Sequence, residues 1–547
     1  MAQWRLDTQD YDQPTVTRFE VVGIADRYGN IVSEGPNTRA TSTSAFGEPV
    51  SVPITPVFQL DGLYGLSTRD FEIYNNATGT AVANNSLMTV STGTAVNGYA
   101  VIRSRRAVRY RPGQGAMARF TAMFPGGGAT NYIQRAGFFT QEQALQIGYE
   151  GDQFGIVRIN GGKAEIVEMD FSGTVATGSS ATATIRLSGL DFTFTLDPAT
   201  YTTLGAQLAY LAKQFETNAG SPAFSALLWT VESSSTKLLF LSTSVGDKSD
   251  DHSFTWAGTG GLAATTSAVQ QGVNNPSVLA DYFTPQTSFN IDKLDGTGPS
   301  GIILDPSKLN VYQINFRWLG VGNIKFAVEH PDTGDMINFH RIDFSNRNTT
   351  PHLDNPSLKI GYVTAALNGA SGTDLSVSGA SMMGAIEGLV QTTRLPNAAS
   401  VVASGLSLAS GQYHHVLSIK NRLSYQNKIN SRELLLKNIN AGFVTTGTGA
   451  TPVTVFLFIN YTGLTQNLVY STPDENETTV FSSPTIVENQ NISTSVPFYI
   501  FDVTGSTSIN VENLRIVLPP NNTISAFVTI GSNSLTRVSL SLSWIED

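Results

Sequence analysis

The 547-residue chain contains no cysteine. Disulfide stapling, thiolate metal sites and cysteine nucleophiles are therefore excluded. Charge is scarce too. Asp, Glu, Lys and Arg make up 14% of the residues, against about 25% in an ordinary soluble domain. Positive charge is the scarcer sign, with 33 Lys and Arg against 43 Asp and Glu and a net charge of −10. A general nucleic-acid binder needs an excess of phosphate-neutralising cations, so no nucleic-acid partner is expected. No run of about 18 apolar residues occurs, so no membrane insertion is expected. The opening MAQWRLDTQDYDQP is charged and lacks an apolar core, so no secretory signal is expected. HExxH is missing, and no GxSxG, P-loop or dinucleotide fingerprint occurs in a fitting context, which leaves no assignable catalytic residue, metal or cofactor.

What is present is β-rich. Hydrophobic residues are 41% of the chain, enough for packed cores, and the length predicts several domains. Solubility then rests on Ser, Thr, Asn and Gly. A polar but weakly charged surface suits packing against copies of the same chain or against a glycan.

Residues 1–60 read as an N-terminal β segment with a docking role. RFEVVGIAD and RYGNIVSEGPN form a hairpin pattern about Tyr28-Gly29-Asn30, and Pro53 and Pro56 restrict SVPITPVFQL to an edge strand or a linker. Residues 61–165 carry short strands separated by Gly or Asn, the pattern of a sandwich or barrel. Residues 166–285 read as a small α+β unit of strand–strand–helix–strand–strand. Its helix is marked by Leu204, Leu208, Leu211 and Phe215 on one face, with Asp197-Pro198 as a start signal. The short-strand pattern of 61–165 resumes over 286–390, so the α+β unit is an insertion whose ends should lie close together. Residues 391–547 hold about seven more strands, the size of one further sandwich.

The most specific stretch is FNIDKLDGTGPSGIILDPSKLNVYQINFRWLGVGNIKFAVEHPDTGDMINFHRIDFSN, beginning at Phe289. Its marks are the turn Asp295 to Gly301, the run Leu304 to Ile314, Trp318 to Gly322, and His340 with Asn346. It closely resembles a stretch shared by virion proteins of marine tailed bacteriophages and some other large DNA viruses. RYRPGQGAMARFTAMF and RAGFFT…LQIGYEGDQFGIVRI look like the first half of the same family, and VSLSLSWIED resembles the tail of virion surface proteins. The resemblance implies a lectin-type, concanavalin-like jelly roll and a structural role in the particle: tail fibre, baseplate or capsid decoration. It implies no ligand or catalytic residue. The insertion of about 120 residues departs from the family, whose members commonly carry little there.

Taken residue by residue, the shared stretch reads as architecture. Gly296, Gly298 and Gly301 permit backbone angles that other residues resist, and Pro299 fixes a turn. Tyr312, Ile314, Phe316 and Trp318 alternate with Val311, Gln313, Asn315 and Arg317, so the first set faces a core. Gly320 and Gly322 end the strand in a bend.

The expected fold is thus mainly β: a jelly-roll sandwich (61–165 and 286–390) split by the α+β insertion, followed by a C-terminal sandwich. Its expected partners are copies of itself (a trimer being common in phage fibres), other tail or capsid proteins, and host-surface glycans. Tyr149, Tyr282 and Phe283 are the candidates for glycan contact, although such aromatics are more often core. Arg103, Arg105, Arg106, Arg109, Arg111 and Arg119 form a basic run best read as strand alternation, wet or paired at an interface, with an anion or nucleic-acid site as the lesser reading.

Asp292, Asp295 and Asp305 lie near the Gly-rich turn without the spacing of a calcium loop. Asp247, Asp250, Asp251 and His252 read as a loop tip before a metal site. His340 reads as structural, and His414 and His415 point to opposite strand faces, unable to share an ion. A polysaccharide-degrading enzyme would need two carboxylates across a cleft. Glu150, Asp152, Glu329 and Asp335 are its only suggestion, so the chain is expected not to be an enzyme.

Overall fold

The computed structural model describes residues 3–4, 23–24 and 53–546, except for 76–77, 97, 110–113, 141, 173–180, 217–228, 259–260, 274–282, 318–319, 368, 389–395, 427, 447–450, 462–463, 465–467, 473–477 and 493–495. Contacts divide the chain into two units, Met1–Pro53 and Ile54–Asp547. In the first, Gln3–Trp4 pairs antiparallel with Gly23–Ile24. The hairpin about Tyr28-Gly29-Asn30 lies outside the described residues.

The second unit holds three main hydrophobic cores, each between sheets. The first is a jelly-roll sandwich. Its seven-stranded sheet runs, edge to edge, through Phe283–Pro285, Gln153–Ile159, Ala144–Glu150, Tyr132–Phe139, Lys359–Ala366, Tyr99–Ser104 and Phe71–Asn75. The facing six-stranded sheet runs through Met336–Ile342, Ile324–Glu329, Asn310–Arg317, Gly115–Ala122, Ser381–Glu387 and Ile54–Asp61. All pairings are antiparallel, and Lys359–Ala366 lies between Tyr132–Phe139 and Tyr99–Ser104, so chain segments from either side of the insertion interleave.

Alternation explains the core. Ile102, Phe138, Ile147, Ile360 and Tyr362 from one sheet meet Phe120, Tyr312, Ile314, Phe316 and Phe326 from the other. Phe138 and Phe316 meet edge to face at 5.4 Å, and the Tyr362 hydroxyl crosses the layer to donate to the Thr121 carbonyl at 2.8 Å. Each fully buried side chain of this size contributes roughly 1.5–3 kcal/mol. The proline-bearing strand Ile54–Asp61 is the edge of its sheet, and Pro56 stands opposite Ala385, where the register shifts. An edge and an irregularity are the places where a residue without an N–H is tolerated.

The α+β unit contains seven strands and one helix among the described residues. A four-stranded sheet (Trp229–Ser233, Lys237–Val245, Ala164–Ser172, Ala263–Gln270) and a three-stranded sheet (Leu190–Leu196, Ala181–Leu187, Ser253–Ala257) accompany the helix Leu204–Glu216. Leu208, Leu211 and Phe215 are buried with Phe192, Phe194 and Phe240. The helix starts later than Asp197-Pro198. Asp197 closes a turn by accepting from Ala199 N at 3.0 Å and Thr200 Oγ1 at 2.8 Å. Thr203 Oγ1 caps the helix by accepting from Ala206 N at 3.2 Å, the ordinary use of a Thr at that position. Where the chain passes into and out of this unit, Lys163 and Val273 exchange two backbone hydrogen bonds of 3.0 Å.

The C-terminal sandwich packs a sheet of Asn397–Leu408, Leu535–Glu546, Leu434–Thr445, Ser506–Asn510 and Val517–Leu518 against one built around Tyr413–Asn421, Thr523–Ile530, Val453–Ile459 and Tyr499–Val503. In VSLSLSW, Val538, Leu540, Leu542 and Trp544 point inward. The serines between them take the other face.

Candidate functional site

The stretch that carries the family resemblance folds onto itself. Asp292 is buried. Its Oδ1 accepts from Leu294 N at 2.8 Å and its Oδ2 from Ser300 N at 2.8 Å. A Cβ on Gly298 would lie 2.0 Å from Asp292 Oδ1, so only glycine lets the loop close on that carboxylate. Asp295 accepts from Thr297 N at 2.9 Å, and Asp305 from Ser307 N at 3.0 Å. The three aspartates therefore brace three separate turns and do not converge on one cation. Gly296, Gly301 and Gly320 take φ of 85°, 70° and 80°, Pro299 is exposed beside them, and a Cβ on Gly322 would lie 1.7 Å from the Arg317 carbonyl oxygen. Trp318 lies outside the described residues.

The aromatic candidates are dispersed. Tyr149 is half-buried at the rim of the jelly-roll core, with its ring 5.3 Å from Phe154 and 6.0 Å from Phe124. Phe283 pairs opposite Val157 at a sheet edge and lies over Gly155. Tyr282 lies outside the described residues. Two of the carboxylates named as an enzymatic suggestion sit on different sheets. Glu150 is on the seven-stranded sheet, bound to Arg135, whereas Glu329 is on the six-stranded sheet.

One triad among the described residues could hold a metal ion by distance alone. Ligand atoms of Glu165, Asp250 and His252 lie within 4.8 Å of one another. Sequence reasoning groups His252 only with its neighbouring aspartates, because Glu165 is 87 residues away. The hydrogen bonds decide against a metal. His252 Nδ1 accepts from Ser188 N at 3.1 Å, so Nε2 carries the proton and donates to Glu165 Oε1 at 2.8 Å. Neither imidazole nitrogen then has a lone pair to offer. Asp251 turns away to Arg186 at 3.2 Å. His414 and His415 part company as well: the first bonds the Ala409 carbonyl at 3.0 Å, the second the Thr485 carbonyl at 2.7 Å.

The basic run is an internal clamp. Arg105 Nη1 reaches Asn522 Oδ1 at 3.5 Å, Arg106 pairs with Glu433 at 3.4 Å, and Arg109 Nη2 donates to the Ser431 carbonyl at 2.6 Å. Each link joins the jelly roll to the C-terminal sandwich. Glu433 also accepts the buried Ala107 N–H at 3.1 Å. Arg119 bonds Gln313 within its own sheet at 2.8 Å, and Arg111 lies outside the described residues. The insertion joins the same assembly, with Glu232 accepting from Leu423 N at 3.2 Å.

Where these three parts meet they enclose a cavity of about 300 Å³, at the lower end of the range for small-ligand pockets. One wall is the outer face of the seven-stranded sheet, where Glu72 and Arg103 pair across neighbouring strands. Glu72 Oε2 accepts from Arg103 Nε at 2.7 Å and Glu72 Oε1 from Lys359 Nζ at 2.5 Å. The Arg103 guanidinium lies 5.3 Å from the centre of the Tyr74 ring. Burial alone would raise the Glu72 carboxyl, but the Lys359 and Arg103 cations hold it down at about 2. Burial and the Glu72 charge push Tyr74 up to about 12. Glu142 lines another part of the wall and is raised by burial. Leu241 from the insertion and Leu423, Ile429 and Pro520 from the C-terminal sandwich supply apolar surface. Sequence reasoning does not assemble this site, whose members come from seven separate segments of the chain.

No family model matches the chain, and no curated protein matches it. Solved structures do match. A mutant of the Emp46p carbohydrate recognition domain is 7% identical over 61% of this chain and 98% of that one, with a TM-score of 0.22. A Bauhinia forficata lectin in complex with GalNAc is 9% identical over 60% of this chain and 97% of that one, with a TM-score of 0.20. The mavirus major capsid protein is 9% identical over 99% of this chain and 97% of that one, with a TM-score of 0.12. Scores this low bring no residue correspondence. The sheets themselves define a multidomain β protein: a jelly-roll sandwich split by an α+β insertion, followed by a second sandwich.

Proposed function

We propose that this chain is a structural component of a virus particle, a tail-fibre, baseplate or capsid-decorating protein of a tailed bacteriophage. In this reading it assembles as an oligomer, contacts other virion proteins and meets glycans of the host surface. One observation carries the reading: the acidic and basic residues that stand out in the sequence hold the protein's own loops and sandwiches together. Asp292 braces the loop of the family-like stretch, and Arg105, Arg106 and Arg109 tie sandwich to sandwich. A weakly charged, multi-core body tied together by its own charges suits a part that bears load and packs against neighbours.

A polysaccharide-degrading enzyme is the alternative, and Glu72 with Glu142 in one cavity is its best support. Both oxygens of Glu72 are engaged by cations, which leaves it poorly placed as a nucleophile or base. Host-envelope polysaccharide incubated with the protein should show no rise in reducing ends. Glycan-array binding by the oligomer tests the host-contact part of the proposal, and absence of binding counts against it.

A further inference from the structure

We propose that the junction cavity is a binding site for an anionic sugar unit, one that carries a carboxylate or a phosphate. The inference deepens the glycan-contact reading and rests on it. Three cations line the cavity, Arg103, Arg105 and Lys359, together with three carboxylates, Glu72, Glu142 and Glu433. Two of those carboxylates have partners other than Arg103, Arg105 and Lys359. Glu433 is held by Arg106 at 3.4 Å and by Ala107 N at 3.1 Å. Glu142 accepts from Ala164 N at 3.1 Å and from Gln270 Nε2 at 3.4 Å. Inside, Glu72 alone answers Arg103 and Lys359.

Lys359 has no side-chain partner other than Glu72 among the described residues. An ammonium has three donors, so two remain for a ligand oxygen. Its side chain is only 16% exposed, and in so dry a setting a charge-assisted hydrogen bond to an anion is strong. The remaining surface suits a sugar ring. The side-chain amide nitrogen of Asn355 and the side chain of Asn521 have no partner among the described residues and line the same space, ready for hydroxyls. Leu241, Leu423 and Ile429 offer an apolar wall for the C–H face. Because the three parts of the protein each supply a wall, a bound sugar would also tie them together.

The test is calorimetric titration of the full chain at neutral pH with glucuronate, N-acetylneuraminate, glucose 6-phosphate and glucose. At least one acidic sugar should bind tenfold or more tightly than glucose, and added salt should weaken it. The first two ligands against the third distinguish a carboxylate from a phosphate. K359Q should weaken the acidic sugar about tenfold or more, whereas K359R should retain most of the affinity. Equal binding of glucose, or acidic-sugar binding untouched by K359Q, would overturn the proposal. If K359Q does not fold, N355A and the wild-type comparison of acidic with neutral sugar and of low with high salt decide it. A chain that binds none of these sugars while its oligomer still labels a glycan array refutes the cavity and leaves the glycan-contact reading standing. Failure of both refutes both.

Discussion

Glu72 and Arg103 face each other across neighbouring strands and close an ion pair of 2.7 Å, with side chains only 10% and 9% exposed. The pair leaves its sheet's core untouched and faces the junction between the three parts of the protein. Removing one partner of such a pair strands a buried charge, which costs about 3–5 kcal/mol. Glu72→Gln should therefore destabilise the chain by that amount in denaturant titration. A change below about 1 kcal/mol would show that water reaches the pair freely.

Glu433 carries two loads, the Arg106 guanidinium and the buried Ala107 N–H. Glu433→Ala should cost about 1–3 kcal/mol, the penalty of an unsatisfied buried donor. It should also loosen the jelly roll from the C-terminal sandwich. Calorimetry should then show the unfolding transition broaden or divide, and a single unchanged transition would speak against the clamp.

Gly298→Ala tests whether the family-like stretch is architecture. The added methyl meets the Asp292 carboxylate, so its bonds to Leu294 N and Ser300 N must break or the loop must move. The expected loss is about 1–3 kcal/mol, measurable as a lowered Tm. Full stability in this variant would mean that the loop is not braced as described.

Acid should weaken the protein in two stages. Burial holds His340, His352 and His415 at about 4, below the ordinary 6.5. Between those values the unfolded chain binds protons that the folded chain does not, so stability falls as pH drops. Glu72, at about 2 against an ordinary 4.5, extends the loss below pH 4.5 with the same sign. Stability measured from pH 7 to pH 3 should decline steadily from about 6.5. A flat profile between 6.5 and 4 would contradict the burial of the histidines.

Much of the architecture was legible in the chain because it is local. Tyr312, Ile314 and Phe316 announce an inward strand face by period two, and Leu208, Leu211 and Phe215 a helix face by period 3.6. The late helix start was not legible, because Asp197 competes as a turn former and Thr203 takes the cap. The junction cavity was invisible for a different reason. Glu72 meets Lys359 across 287 residues and Arg106 meets Glu433 across 327. Partners so far apart leave no periodic or spacing signal, and only the folded sheets bring them together. The arginine run was visible as charge, but the identity of its partners was not.

The central claim, a structural place in a virus particle, is tested most directly by mass spectrometry and electron microscopy of purified virions. The account predicts this chain at a fixed copy number, with density for two β-sandwiches and the α+β unit at the tail or the capsid surface. Particles that are complete and infectious without it would contradict the account.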